Sequence, residues 1–172
     1  MDELNSIEYA SPADKIRDLH RTLIHEHAHR AVAISYGVFG RVEVAPNPNG
    51  GFNEIHFTGR FTIYGRGPRS LKAIRLIGLS GALATMLLDD AEVDEWTATE
   101  ELEFDESLSA TDRELAGRYT VADVRAALKR IRRVWSDVVR SAELGVRAFI
   151  GLHAGTNTAC QNSERSANGL TR

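Results

Sequence analysis

The chain has 172 residues, 42% of them hydrophobic and 26% charged, which suffices for one globular domain with its own core. A formal net charge of -3 argues against a nucleic-acid or anionic-membrane partner, and no phosphate-binding G-x-x-x-x-G-K-[ST] loop is present. The single cysteine, Cys160, rules out an intramolecular disulfide and a cysteine-rich metal site. A reducing compartment follows, and with no secretory signal in the acidic, polar first residues the expected location is cytoplasmic. No apolar run reaches the roughly 20 residues that span a bilayer.

In chain order, residues 1 to 10 are a loose lead-in. Ser11-Pro12-Ala13-Asp14 then reads as a helix start, with Ser11 as cap, Pro12 at the first helical position and Asp14 closing a capping box. The helix is expected to reach about Tyr36 and stop at Gly37. Its apolar stripe is Ile16, Leu19, Leu23, Ala31 and Ile34, with His27 inside it. His25 and His29 fall on the opposite side. An alternating segment, Arg41 to Val44, predicts a short strand, and Pro46 to Gly51 a turn. Asn53 to Thr58 and Phe61 to Tyr64 predict two more strands of a small antiparallel sheet. An edge of that sheet is suited to hold an extended peptide.

A second helix is expected over about Ser70 to Leu88. It carries Gly78, Ser80, Gly81, Ala82 and Ala84, a cluster that weakens a helix unless another element must come close, here the histidine helix. Asp89 to Glu106 is acidic throughout and lacks any basic residue, which predicts an irregular stretch with at most a short helix. Ser109 and Thr120 open two more capping boxes, before a short helix ending near Gly117 and a long amphipathic helix over about Val121 to Ile150. The basic face of that helix is accounted for by solvent or by the acidic stretch, without nucleic acid. Residues 1–152 thus read as a single domain, and residues 153–172 as a disordered polar tail.

The chemistry sits in the first helix. His25-Glu26-His27-Ala28-His29 is an H-E-x-x-H pattern. Histidines four apart share one helical face and can grip one Zn²⁺, while the glutamate between them is free to act as a general base. His27 points away from both and belongs to packing. A catalytic zinc needs a third protein ligand. The available residues are Asp89, Asp90, Asp94, Asp105, Glu106, Asp112, His56 and His153, and spacing alone does not choose among them.

The order of elements resembles the zinc peptidase domain of the FtsH-type membrane AAA proteases and their standalone relatives. The matching residues are His25-Glu26-His27-Ala28-His29 followed by Ala31-Val32-Ala33, then Val42-Glu43-Val44, the small-residue run Leu79 to Ala84, and Ser109 with Ala110 to Ala116. The resemblance covers about residues 12 to 150. It implies a mainly α, α+β, zincin-like fold and Asp112 as the third zinc ligand beside His25 and His29. It departs from the family in having His27-Ala28 between Glu26 and His29, and no glutamate after the small-residue pair. The expected function is a zinc-dependent, ATP-independent peptidase that cleaves flexible or unfolded peptide substrates, with Glu26 as catalytic base. No membrane or nucleic-acid partner is implied, and oligomerisation is left open. The alternative is a non-catalytic zinc-containing protein-interaction domain.

Overall fold

A computed structural model describes residues 11–47, 56–104 and 107–167, with side chains as far as Leu152. The fold is mainly helical with a two-stranded antiparallel sheet, the α+β class expected. Elements run α1 (Pro12–Ile34), β1 (Gly40–Pro46), β2 (Phe57–Ile63), α2 (Leu71–Asp89), α3 (Glu95–Phe104), α4 (Ala110–Ala116) and α5 (Val121–Ala167).

Local chemistry sets most helix starts. Ser11 Oγ accepts from Asp14 N–H at 3.2 Å, and the Asp14 carboxylate accepts from Ser11 N–H at 3.2 Å, so the capping box forms as expected. Ser109 and Thr120 cap α4 and α5 in the same manner. α1 ends at Ile34, slightly before the expected Tyr36, and Gly37 follows with φ of +71°, a left-handed turn that suits glycine.

Burial on α1 differs from the expected stripe. Leu19 and Leu23 are buried as anticipated, but Ile16 and Ile34 are exposed, and the buried set continues through Ile24, Ala28, Val32 and Ala33. The helix is enclosed on several sides because α2, α5 and the sheet all pack on it. Its seam rotates as the neighbour changes, which one fixed stripe does not capture.

Between residues 57 and 64 the structure has one strand, β2, instead of two segments, since Gly59 continues the ladder to β1. The pairing runs from Gly40 opposite Ile63 to Pro46 opposite Phe57. The expected strand start at residues 53–55 and most of the expected turn lie outside the described residues, as do Asp105 and Glu106.

α2 is the central helix. It is 19 residues long and apolar enough to cross a membrane by length and composition, contrary to the expectation that no such run exists, yet 67% of that stretch is buried inside the protein. It therefore serves as a core helix. Leu76, Leu79 and Leu83 are fully enclosed and join Ile24, Val32, Val124, Leu128 and Ile131 in one core.

The acidic stretch contains a definite helix, α3, whose start is capped by the Asp94 carboxylate, which accepts from Trp96 and Thr97 N–H. It docks on α5 through polar contacts. Arg125 pairs with Glu95 at 2.8 Å, and Arg132 donates to the Val93 carbonyl at 2.6 Å. α5 itself runs beyond the expected Ile150, to Ala167.

Candidate metal centre

Two elements bring one cluster together. α1 supplies His25 and His29, and α4 supplies Asp112, 87 residues after His25. His25 Nε2 and His29 Nε2 are 3.0 Å apart. Asp112 Oδ2 lies 3.1 Å from His25 Nε2, and Asp112 Oδ1 lies 3.1 Å from His29 Nε2. Tetrahedral ligands about 2.0–2.1 Å from a zinc ion sit roughly 3.3 Å from one another. The two imidazole nitrogens and the carboxylate whose two oxygens face them are close enough to serve one ion, with one ligand atom from each residue within 4.8 Å of the others. Their atom types, two imidazole nitrogens and a carboxylate oxygen, fit a divalent metal. The three residues could hold a metal ion.

Their neighbours fix how the donors point. His29 donates Nδ1–H to the Ile77 carbonyl at 2.7 Å, which turns Nε2 toward the cluster. Ser80 Oγ lies 3.3 Å from the same Nδ1 and donates to Ile77 O at 2.6 Å. Ser109 Oγ donates to Asp112 Oδ2 at 2.8 Å while it accepts from Asp112 N–H at 3.1 Å, so one hydroxyl caps α4 and orients the carboxylate.

The small residues of α2 divide between two tasks. A Cβ at Gly81 would strike the Nε2 atoms of both His25 and His29, so the missing side chain leaves room where the imidazoles converge. A Cβ at Gly78 would lie 2.6 Å from Ala116 N and 2.9 Å from Asp112 O, so this glycine lets α4 approach. The expected close contact with the histidine helix is present. The contact that seats Asp112 was not anticipated, although a second glycine three residues before Gly81 marks the same helical face.

Glu26 is 7% exposed and lies between the cluster and β2. Tyr64 donates N–H to Phe39 O, and Asn47 donates to His56 O, so even-numbered residues of β2 bond to β1. Odd-numbered residues turn their backbone groups to the other edge, toward α1. There Phe57 N–H donates to Asp18 at 2.9 Å, and Phe61 N–H donates to the Glu26 carboxylate. Gly59 belongs to the same edge, and a Cβ on it would lie 2.6 Å from Glu26 Oε1.

Burial pushes the Glu26 carboxyl above its ordinary value, against the opposing pull of His25 and His29. Burial also acts to raise Asp112, but its hydrogen bonds to His25 and His29 outweigh it and hold the carboxyl far below the usual range. Burial would lower His29, and the Asp112 hydrogen bond and charge, aided by Glu26, raise it instead. In the metal-free cluster the Asp112 carboxylate thus favours a proton on His29, and a metal entering the cluster would displace it.

Among the other third-ligand candidates with described side chains, none reaches this cluster. Asp89 pairs with Arg21 at 2.6 Å, Asp90 accepts from Glu92 N–H, Asp94 caps α3, and His56 lies at the start of β2 with its N–H on Asp18. The side chain of His153 lies outside the described set. His27 faces α5 beside Arg30, and its Nδ1 has no partner among the described residues. Burial and the Arg30 charge lower it to about 4, so it is neutral and packed, as expected. Sequence comparison adds no further identification: the chain matches no family model, and no curated protein is significantly similar to it.

Proposed function

We propose that the chain is a zinc-dependent peptidase, independent of ATP, that hydrolyses bonds in flexible or unfolded segments. The observation that carries this is the convergence of His25, His29 and Asp112 beside a buried, unligated carboxylate, Glu26. The order of elements, similar to that of the FtsH-type peptidase domains, supports it.

His25, His29 and Asp112 would hold the ion, and a divalent metal there supplies Lewis-acid polarisation of a carbonyl and acidification of water. Glu26 is the group that moves protons. Burial raises its affinity for a proton, which suits a base working near neutral pH. It takes the proton of the attacking water and returns it to the leaving amine. Phe61 N–H holds its carboxylate in place. The other backbone groups on that edge, those of Gly59 and the Phe61 carbonyl, are suited to align an extended peptide beside that carboxylate. With no phosphate-binding loop in the sequence, substrates are segments that need no unfolding. A reducing compartment such as the cytoplasm is consistent with the lone Cys160.

One observation favours a second reading. Glu26, His29 and Asp112 are 7%, 4% and 6% exposed, and β2 lies directly over the glutamate, as in a closed structural metal site of an interaction domain. The Glu26→Gln variant separates the two. Under the peptidase reading it keeps metal and loses cleavage of an unstructured peptide such as casein. Metal retention with no cleavage by either wild type or variant supports the structural reading.

A further inference from the structure

A polar cleft opens between the end of α1 and the start of α2. It has a volume of about 470 Å³ and is walled by Tyr36, Gly37 and Val38 after α1, and by Arg66, Arg69 and Ser70 before α2. Among the described residues, no acidic one lines it. Arg66 and Arg69 are exposed and have no partner among the described residues, unlike Arg21, Arg75 and Arg125, each of which is ion-paired. A third guanidinium stands behind the wall. Arg130 stacks 4.3 Å from the Tyr36 ring centroid and donates to Ser35 Oγ at 3.0 Å, with no carboxylate against it among the described residues. The two unpaired cations on the cleft wall, with Arg130 behind it, create a positive potential that a carboxylate would neutralise. The start of α2 is not the source of the attraction, because Ser70 Oγ already accepts from Ala73 N–H at 3.1 Å.

The cleft lies a short way along α2 from the metal centre. Ala73 lines the cleft and Gly81 touches the imidazoles, eight residues along one helix, which is about 12 Å. β2 leads the same way, from Phe61 at Glu26 through Ile63 and the turn at Gly65 to Arg66. An extended peptide rising about 3.3 Å per residue covers that span in three to four residues.

We propose that this cleft is a carboxylate-binding subsite, in which Arg66 and Arg69 select peptides bearing an acidic side chain or a free chain end three to four residues from the metal centre. The link to a bond being cut rests on the peptidase reading; the binding rests on the arginines. Both carboxylate sources satisfy the same guanidinium geometry.

The test uses full-length Glu26→Gln protein and one neutral, acetylated, fluorescently labelled seven-residue peptide in three forms. One is amidated with Asp at a single position, one is amidated with Asn there, and one is the Asn form with a free C-terminal carboxylate. Fluorescence anisotropy should show at least one carboxylate form binding about tenfold or more tighter than the amidated Asn form, and which one identifies the source. Arg66→Gln with Arg69→Gln should erase the difference while leaving the neutral peptide's affinity and the melting temperature unchanged. Equal binding of all three forms, binding of none, or a preference that survives the double substitution overturns the proposal. If wild type cuts none of the peptides yet the double substitution still removes the preference, the subsite stands and the peptidase reading falls.

Discussion

Gly81→Ala isolates the metal centre from the fold that carries it. The added methyl would overlap the Nε2 atoms of His25 and His29, the two atoms that must converge on the ion. Those atoms are the far ends of side chains, so the imidazoles can swing aside without moving either helix backbone. Overpacking of this kind costs roughly 1–3 kcal/mol. Replacing a mid-helix glycine by alanine returns roughly 1 kcal/mol of helix propensity. The metal-free protein should therefore lose no more than about 2 kcal/mol. Metal binding has no such relief. His29 is fixed by Ile77 O on its other nitrogen, so the ring cannot rotate away and still offer Nε2. A ligand lost or misdirected should lower metal affinity about 100-fold or more, equivalent to roughly 2.7 kcal/mol. Competition with a chromogenic chelator gives the affinity, and urea unfolding of the metal-free protein gives the stability. Wild-type metal affinity in Gly81→Ala would refute the proposed convergence of the two rings.

Glu26→Gln should retain metal and reduce peptide cleavage by about 10²- to 10⁴-fold, measured with a quenched fluorogenic peptide; normal cleavage would remove Glu26 from the chemistry. Ser109→Ala takes away both the α4 cap and the donor to Asp112 Oδ2, so stability should fall by about 1 kcal/mol. Metal affinity should fall about 10- to 100-fold in the same chelator assay. His27 supplies the pH prediction. Its folded value is depressed to about 4 from 6.5, so the neutral ring stabilises the fold above pH 6.5, and that contribution is lost as pH falls toward about 4. Arg30 and Asp137 share its cleft, and allowing for their charges and for solvent the loss is about 1–2 kcal/mol. His27→Leu should flatten that part of the urea-midpoint profile; an unchanged profile would show that His27 does not carry it.

What the sequence disclosed about this fold was mostly local. Ser11, Ser109 and Thr120 announce their helices because each caps through its hydroxyl an amide three residues on, and no distant contact alters that. The faces of α1 were less legible. A single periodic stripe assumes one neighbour, whereas α1 meets a sheet and two helices, so Ile16 and Ile34 end exposed and Ile24 is enclosed. The break expected between Thr58 and Phe61 falls at Gly59, which the structure keeps within β2. Its task is instead to let the strand lie against Glu26, a steric reason that exists only once α1 and β2 are side by side.

The metal centre divides along the same line. The i, i+4 histidines are a property of one helix and could be read directly. Asp112 could not be chosen by spacing, because its distance from His25 depends on α2 standing between them. Gly78 and Gly81 are three residues apart and so share a face of α2. Through Gly81 that face admits the imidazoles, and through Gly78 it admits the backbone of α4 at Asp112 and Ala116. Gly78→Ala should therefore differ in kind from Gly81→Ala. Its methyl would meet Ala116 N at 2.6 Å and Asp112 O at 2.9 Å, atoms of a helix backbone that cannot swing aside. Either α4 shifts as a unit and takes Asp112 off the histidines, or the α2–α4 packing opens. Both lower stability and metal affinity together, the first by about 1–3 kcal/mol in urea unfolding. A Gly78→Ala protein with wild-type stability would mean that α4 is free to move, and Asp112 would then lack the rigid seat that a third ligand so far along the chain requires.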